Sequence, residues 1–178
     1  MMLRGIVKRW LGLTSLVGLL VSVTVHSASI AGMDVASRFP GVWLLHFLAL
    51  VICAAVAFFS SVIHRPAGTS VLHVEAYPRS SPQGWPLWGT PVIAVAIGYA
   101  IVTFALREHV SGSGVPAIVG GQYVLQSHGR LLTNLTESDY RLHRAYELRA
   151  FSAVWIVFYL APAIYFLSPS LARLPKAG

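Results

Sequence analysis

The chain has 178 residues, of which 56% are hydrophobic and only 11% are charged. Soluble domains carry about 25% charged residues, so this composition excludes an ordinary soluble domain and favours a membrane protein. The net charge of +7 does not indicate a nucleic-acid partner, because the sequence has neither a dense Lys/Arg cluster nor an aromatic RNA-reading motif. The single cysteine, Cys53, excludes an intrachain disulfide.

Four apolar stretches are each close to the roughly 20 residues that a helix needs to cross the hydrocarbon core. An open sheet would find no hydrogen-bond partners in lipid, so helices are the expected spanning elements. The sequence therefore predicts an all-α membrane protein with four transmembrane helices. The four spans cover residues 11–30, 42–63, 87–106 and 150–167.

The amino terminus allows two interpretations. Arg4, Lys8 and Arg9 precede an apolar run that ends near residues 29–31, which is the pattern of a signal peptide with a cleavage site of small residues. The run is longer than the core of a typical signal peptide, and His26 crowds the supposed cleavage site. These two features favour an uncleaved anchor over a cleaved signal.

The basic residues outside the spans indicate an orientation. The cluster at the amino terminus and the tail with Arg173 and Lys176 favour both termini in the cytoplasm. Whatever the orientation, four spans place loops one and three on the same side of the membrane. His64 and His73 belong to the opposite side, in a Pro- and Gly-rich loop two that predicts an irregular connector. Five histidines share the face of loops one and three: His26, His46, His109, His128 and His143.

Small residues recur at helical spacing in spans two and three. Such stripes let helix backbones approach closely, so they predict packing faces within the chain or in a homo-oligomer. Pro162 in span four predicts a kink or a backbone carbonyl without its helical partner. The stripes are Ala49, Cys53, Ala57 and Ser61 in span two, Ala94 with Gly98 in span three, and Ala96 with Ala100 beside them.

The loop between spans three and four, residues 107–149, has the composition of a soluble module. Residues 123–126 have strand-like composition, and residues 131–135 would return as a second strand. His128-Gly129 lies where a two-residue hairpin turn needs positive φ at both positions. A β-hairpin is predicted here, resting on the helices or on the membrane surface, because a lone hairpin is only marginally stable in water.

A helix is predicted to follow the hairpin and to continue into span four. Thr136 and Asp139 fit a looser form of the capping box, in which each residue satisfies a backbone amide near the other. No proline or glycine interrupts the chain from Thr136 until Pro162. The fourth helix should therefore extend out of the membrane as one rod.

Three residues on the extramembrane section of that helix share one face. Asp139, His143 and Glu147 follow one another at four-residue spacing, which could offer ligands to a divalent metal. The same spacing fits a ladder of surface pairs, Asp139–His143, His143–Glu147 and Glu137–Arg141, and alternating charges along a helix usually mark a solvated face.

His26 and His46 lie near the edges of their spans, where ionisable residues are functional candidates. With His128 they form a second hypothetical site, which could ligate a haem or a divalent metal. A plainer role is also open to both, since headgroups, water or a loop carbonyl can satisfy an imidazole at interface depth. The sequence has no HExxH, CxxC, Walker or GxSxG pattern, so an enzyme is not favoured.

Two stretches carry longer motifs: residues 39–51 and residues 120–159. They resemble an uncharacterised family of small four-span bacterial inner-membrane proteins, and the resemblance brings no activity. Where that family would place a histidine before the tryptophan of the last span, this chain has Val154, which weakens a shared metal site. The matching residues are Phe39, Pro40, Trp43 and His46, then Gly121, Tyr123, Val124, Leu125, His128 and Gly129, and finally Thr136 and Tyr140.

The sequence favours a small integral membrane protein with a structural or interaction role, carried by the hairpin and helix of loop three. Its expected partners are the lipid bilayer and either another protein or a second copy of the chain. This role needs no cofactor. The alternative is a metal- or haem-binding membrane protein that uses histidines on one membrane face.

Overall fold

A computed structural model of the chain describes residues 2–63, 85–112 and 114–171. The predictions for His64, His73, most of loop two and the basic tail fall outside these residues. The elements are α1 (Met2–Ile30), α2 (Val35–Arg38), a 3-10 turn (Pro40–Trp43), α3 (Leu44–Ile63), α4 (Gly89–Ser111), β1 (Val115–Val119), β2 (Gln122–Ser127), β3 (Arg130–Asn134) and α5 (Glu137–Leu171).

Within the described residues, four helices are long and apolar enough to cross a membrane by length and composition, as the sequence predicts. They are α1, α3 with the preceding turn, α4 and α5. The predicted single rod is also confirmed, because α5 runs unbroken from Glu137 to Leu171. Its start is capped as expected: Asp139 donates its backbone N–H to Thr136 Oγ1 at 3.1 Å, and the Thr136 hydroxyl donates to Asp139 Oδ2 at 2.7 Å.

Helix α5 is the centre of the bundle, and α1, α3 and α4 all pack against it. In the most apolar segment of α5 half of the residues are buried inside the protein, whereas in the corresponding segments of α1, α3 and α4 a third or fewer are buried. Trp155 and Tyr159 of α5 have no exposed surface and form a core with Ile52 of α3. The hydroxyl of Tyr159 donates to the carbonyl of Leu45 at 2.7 Å, which ties α5 to the start of α3.

Helix α1 approaches α5 through small residues that do not belong to the stripes predicted in spans two and three. Ser15, Ser22 and Ser29 recur at seven-residue spacing and are fully buried. Gly18 lies on the same face, and a Cβ atom built there would be 2.7 Å from Tyr159 Cζ. Because real Cβ atoms do not approach other atoms so closely, the absence of a side chain at Gly18 is what lets the two helices meet.

The predicted stripes are only partly used in packing. Ala49 and Ala100 are buried in the bundle. Ala94 and Gly98 are exposed, and a Cβ atom at Gly98 would meet nothing within 4 Å. The Ala94–Gly98 side of α4 therefore faces away from the other helices.

Pro162 leaves one carbonyl without its helical hydrogen bond, and the helix continues past it. Proline has no N–H, so the carbonyl of Phe158, one turn earlier, lacks its usual helical donor. The thiol of Cys53 on α3 donates to that carbonyl at an Sγ–O distance of 3.6 Å. The predicted free carbonyl thus serves as a contact between α3 and α5.

The loop between α4 and α5 forms a three-stranded antiparallel sheet, one strand more than the predicted hairpin. The additional strand is β1, whose edge position tolerates Pro116 because no neighbour needs its missing N–H. Gly120 and Gly121 break the strand pattern in the sequence, yet both have positive φ, of 56° and 80°, and form a second two-residue turn between β1 and β2. A Gly-Gly pair therefore joins two strands here instead of ending them.

The predicted turn at His128-Gly129 is confirmed, with φ values of 50° and 78°.

Replacing Gly129 with alanine should destabilise the β2–β3 pair by about 1 kcal/mol, because a Cβ atom makes the left-handed conformation unfavourable. Hydrogen exchange of the β2 and β3 amides should accelerate about fivefold. The same change at Gly41, which has no positive φ and open space around it, is the control. Equal exchange in both variants would contradict the assigned turn.

Candidate functional site

Polar side chains join α1, α4 and α5 near the end of the bundle that carries the sheet. The centre of this cluster is His26 of α1, which is only 6% exposed. Its Nδ1 lies 2.9 Å from the hydroxyl of Ser152 on α5, and its Nε2 lies 2.6 Å from the hydroxyl of Tyr99 on α4. One imidazole therefore ties three helices together.

The contacts of the Ser152 hydroxyl assign a direction to these hydrogen bonds. Its single proton has two backbone acceptors in its own helix, the carbonyls of Leu148 at 2.7 Å and Arg149 at 3.2 Å, and with the proton there its oxygen accepts from His26 Nδ1–H. The Nε2 atom of His26 is then unprotonated and accepts from the Tyr99 hydroxyl. The donors form a continuous relay from Tyr99 through His26 and Ser152 to a backbone carbonyl. In this relay both imidazole nitrogens are occupied.

His46 is held by a different partner. The indole Nε1–H of Trp155 donates to His46 Nδ1 at 3.1 Å. An indole nitrogen can only donate, so Nδ1 of His46 must accept, and the proton of the neutral ring lies on Nε2. A metal or haem iron could bind His46 only if this hydrogen bond broke or the Nε2 proton were lost.

His143 packs against α4 instead of facing solvent. It is 9% exposed, and its Nδ1 lies 2.7 Å from the hydroxyl of Ser111 at the end of α4. Glu147 pairs with Arg144 at 2.8 Å, and Asp139 is occupied by the capping bonds. Among the described residues His143 forms no ion pair with Asp139 or Glu147, its partners in the predicted surface ladder, although Asp139 and His143 still interact electrostatically and each acts on the pKa of the other.

Of that ladder, the structure contains the ion pair between Glu137 and Arg141, four residues apart on α5. Both side chains are more than half exposed, so the pair contributes little to stability. His128 is exposed in its turn, with Nδ1 3.0 Å from the neighbouring Ser127 hydroxyl. His109 is exposed in the last turn of α4.

Within residues 2–63, 85–112 and 114–171, no group of three or more His, Cys, Asp or Glu side chains is placed to hold a metal ion. His26, His46 and His128 each bond to different neighbours. The haem and metal hypotheses stay predictions, and the geometry of their proposed ligands adds no support to them.

Two arginines donate hydrogen bonds to backbone carbonyls at the same end of the bundle. Arg149 of α5 donates to the carbonyls of Ser29 and Ile30 at the end of α1, at 3.0 and 3.5 Å. Cations are favourable there because the carbonyls at a helix C-terminus carry partial negative charge. Arg107 of α4 donates to the carbonyl of Gly114 at 3.0 Å and so holds the chain that enters β1.

The sequence gives only a partial signal for these contacts. Tyr99 and Ser152 are polar residues within apolar stretches, which marks them as candidates for contacts between helices. Four-span parity also places Arg149 on the same side as the end of α1. Neither signal identifies the partner of each residue, because the pairing depends on how the helices are rotated about their axes.

The fold and the polar cluster define a class: a bundle of four membrane-length helices tied by a buried histidine relay, with a small sheet between the last two. Comparison with protein-family models, with curated protein sequences and with solved structures gave no match for this chain. The family resemblance suggested by the motifs therefore stays a prediction.

Proposed function

We propose that this chain is a four-span protein of a bacterial inner membrane that binds a partner protein through the sheet between α4 and α5. In this proposal both termini lie in the cytoplasm, α1 is an uncleaved anchor, and the first turns of α5 stand outside the membrane with the sheet. The role is that of an interaction or structural cap, for which no cofactor is needed.

The observation that carries the proposal is the exposure of β3. All five of its residues are exposed, including Leu131 and Leu132, which are 55% and 49% exposed. The strand is an edge of the sheet, so one row of its backbone N–H and C=O groups has no strand beside it. An edge strand with exposed leucines offers both the hydrogen bonds and the apolar contacts that an added strand requires.

The sheet is also held firmly enough to act as a platform. The rings of Tyr123 on β2 and Tyr140 on α5 lie 5.0 Å apart, and the Leu135 N–H donates to the Tyr123 carbonyl at 2.8 Å. The Ser111–His143 bond fixes the end of α4 to α5 just below the sheet. A partner would therefore meet a surface that is ordered before binding, which reduces the entropy lost on binding.

The test is cross-linking of the full chain in native membranes, followed by purification and mass spectrometry. Wild-type protein should give one dominant cross-linked product, and the double variant Leu131→Ser/Leu132→Ser should lose at least about 90% of it, as expected when central apolar anchors are removed. The control is Leu87→Ser, which changes a 90%-exposed leucine at the other end of α4.

A product of twice the chain mass would identify the partner as a second copy. The predicted small-residue faces favour this form of the proposal at α4, where Ala94 and Gly98 are exposed. A product that survives the Leu131/Leu132 change would then assign the contact to α4 instead of β3. A chain that stays solitary in native membranes would refute the interaction role.

A further inference from the structure

A groove of about 550 Å³ lies between the end of α1 and the first half of α5, and its wall combines cationic and apolar side chains. Arg141 and Arg149 line it two turns apart on α5, and Ser138 in the first turn of α5 also lines it. Ile30 and Leu142, which are 54% and 50% exposed, form its apolar part.

The cationic wall has hydrogen-bonding capacity that the protein does not use. Arg149 donates Nη2 to the carbonyls at the end of α1 and lies over the Tyr146 ring, with Cζ 4.7 Å from the ring centroid, and its Nε is buried and turned away from the groove opening without a hydrogen-bond partner. Arg141 pairs with Glu137 through Nη2, and its side chain, which lines the groove, is 67% exposed. Two arginines against one carboxylate leave one positive charge uncompensated among the groove-lining side chains. A phosphodiester supplies one negative charge and oxygens that suit a guanidinium fork.

The position of the groove also selects the ligand. Ile30 is the last residue of α1, a helix long enough to span a membrane, so the groove lies at the depth where that helix ends. Lipid headgroups occupy this depth. A small soluble phosphate would gain nothing from the exposed Ile30 and Leu142, whereas an amphiphile would cover them.

We propose that this groove binds one membrane phospholipid by its headgroup phosphodiester. Arg141 and Arg149 donate to the phosphate oxygens, Ser138 donates its hydroxyl, and the glycerol and upper acyl carbons lie against Ile30 and Leu142. The proposal rests on the membrane placement given above but not on a protein partner, since β3 does not line the groove.

The test is native mass spectrometry of the full chain, delipidated in mild detergent and titrated with phosphatidylglycerol. Wild-type protein should retain one lipid. Arg141→Gln should weaken binding on the order of tenfold, the effect of losing one charge-assisted hydrogen bond. Arg149→Lys keeps the charge, loses the fork and should weaken binding to a smaller degree.

The matched control is Arg130→Gln, which removes the same charge from an exposed position at the start of β3, outside the groove. It should bind lipid as the wild type does. Equal losses in the Arg130 and Arg141 variants, or no retained lipid in the wild type, would overturn the site. Binding of glycerol phosphate as strong as that of the lipid would overturn the lipid assignment. Retention of lipid by the Leu131/Leu132 variant separates this site from the partner surface.

Discussion

Replacing Gly18 with alanine should destabilise the bundle by about 1–3 kcal/mol, the usual cost of overpacking a core. In an ordinary helix the same change is favourable by up to about 1 kcal/mol, because alanine is the better helix former. The sign reverses here because the new methyl group would lie 2.7 Å from Tyr159 Cζ. Tyr159 cannot move aside, since it has no exposed surface and its hydroxyl is bonded to Leu45.

The control is Gly98→Ala, the same substitution in the middle of another membrane-length helix. A Cβ atom there meets nothing within 4 Å, so this variant should be neutral or slightly more stable. Both can be measured as thermal unfolding of the purified chain in one detergent. Equal stability of the two variants would show that α1 does not pack on α5 through Gly18.

The comparison also shows what a sequence can reveal about helix packing. The existence of four apolar helices follows from composition and length alone, because lipid leaves few other solutions for the backbone. The packing faces do not follow in the same way. The stripe of Ala94 and Gly98 on α4 faces outward. The face of α1 that meets α5 consists of buried serines and Gly18, and this pattern is no more conspicuous in the sequence than the stripe on α4.

In the sheet and in the polar cluster, too, some features can be predicted from the sequence and others depend on the arrangement of the helices. The His128-Gly129 turn is predictable because two adjacent positive-φ residues between strand-like segments have one common solution. Gly120-Gly121 has that solution too, but glycine is equally compatible with a break, so local chemistry does not decide between them. His26 and His46 are recognisable as candidates, whereas Tyr99 and Trp155 become their partners only through the arrangement of the helices.

Replacing His26 with leucine should cost about 2 kcal/mol of stability. Hydrogen bonds between membrane helices contribute about 0.6 kcal/mol on average, and His26 makes two. The remainder comes from the Tyr99 hydroxyl, which would lose its acceptor, while Ser152 keeps its bond to the Leu148 carbonyl. His109→Leu, at an exposed position in the last turn of α4, is the matched control and should be within about 0.5 kcal/mol of the wild type.

A double-mutant cycle with Tyr99→Phe distinguishes a relay from simple packing. If Tyr99 donates to His26, removing both groups should cost less than the sum of the single changes, by at least about 0.5 kcal/mol. The reason is that the phenylalanine leaves no stranded hydroxyl when the acceptor is gone. Additive effects would mean that the ring of His26 only fills space between α1 and α4. A coupling of this sign therefore tests whether the Tyr99–His26 hydrogen bond forms, whichever of the two groups donates the proton.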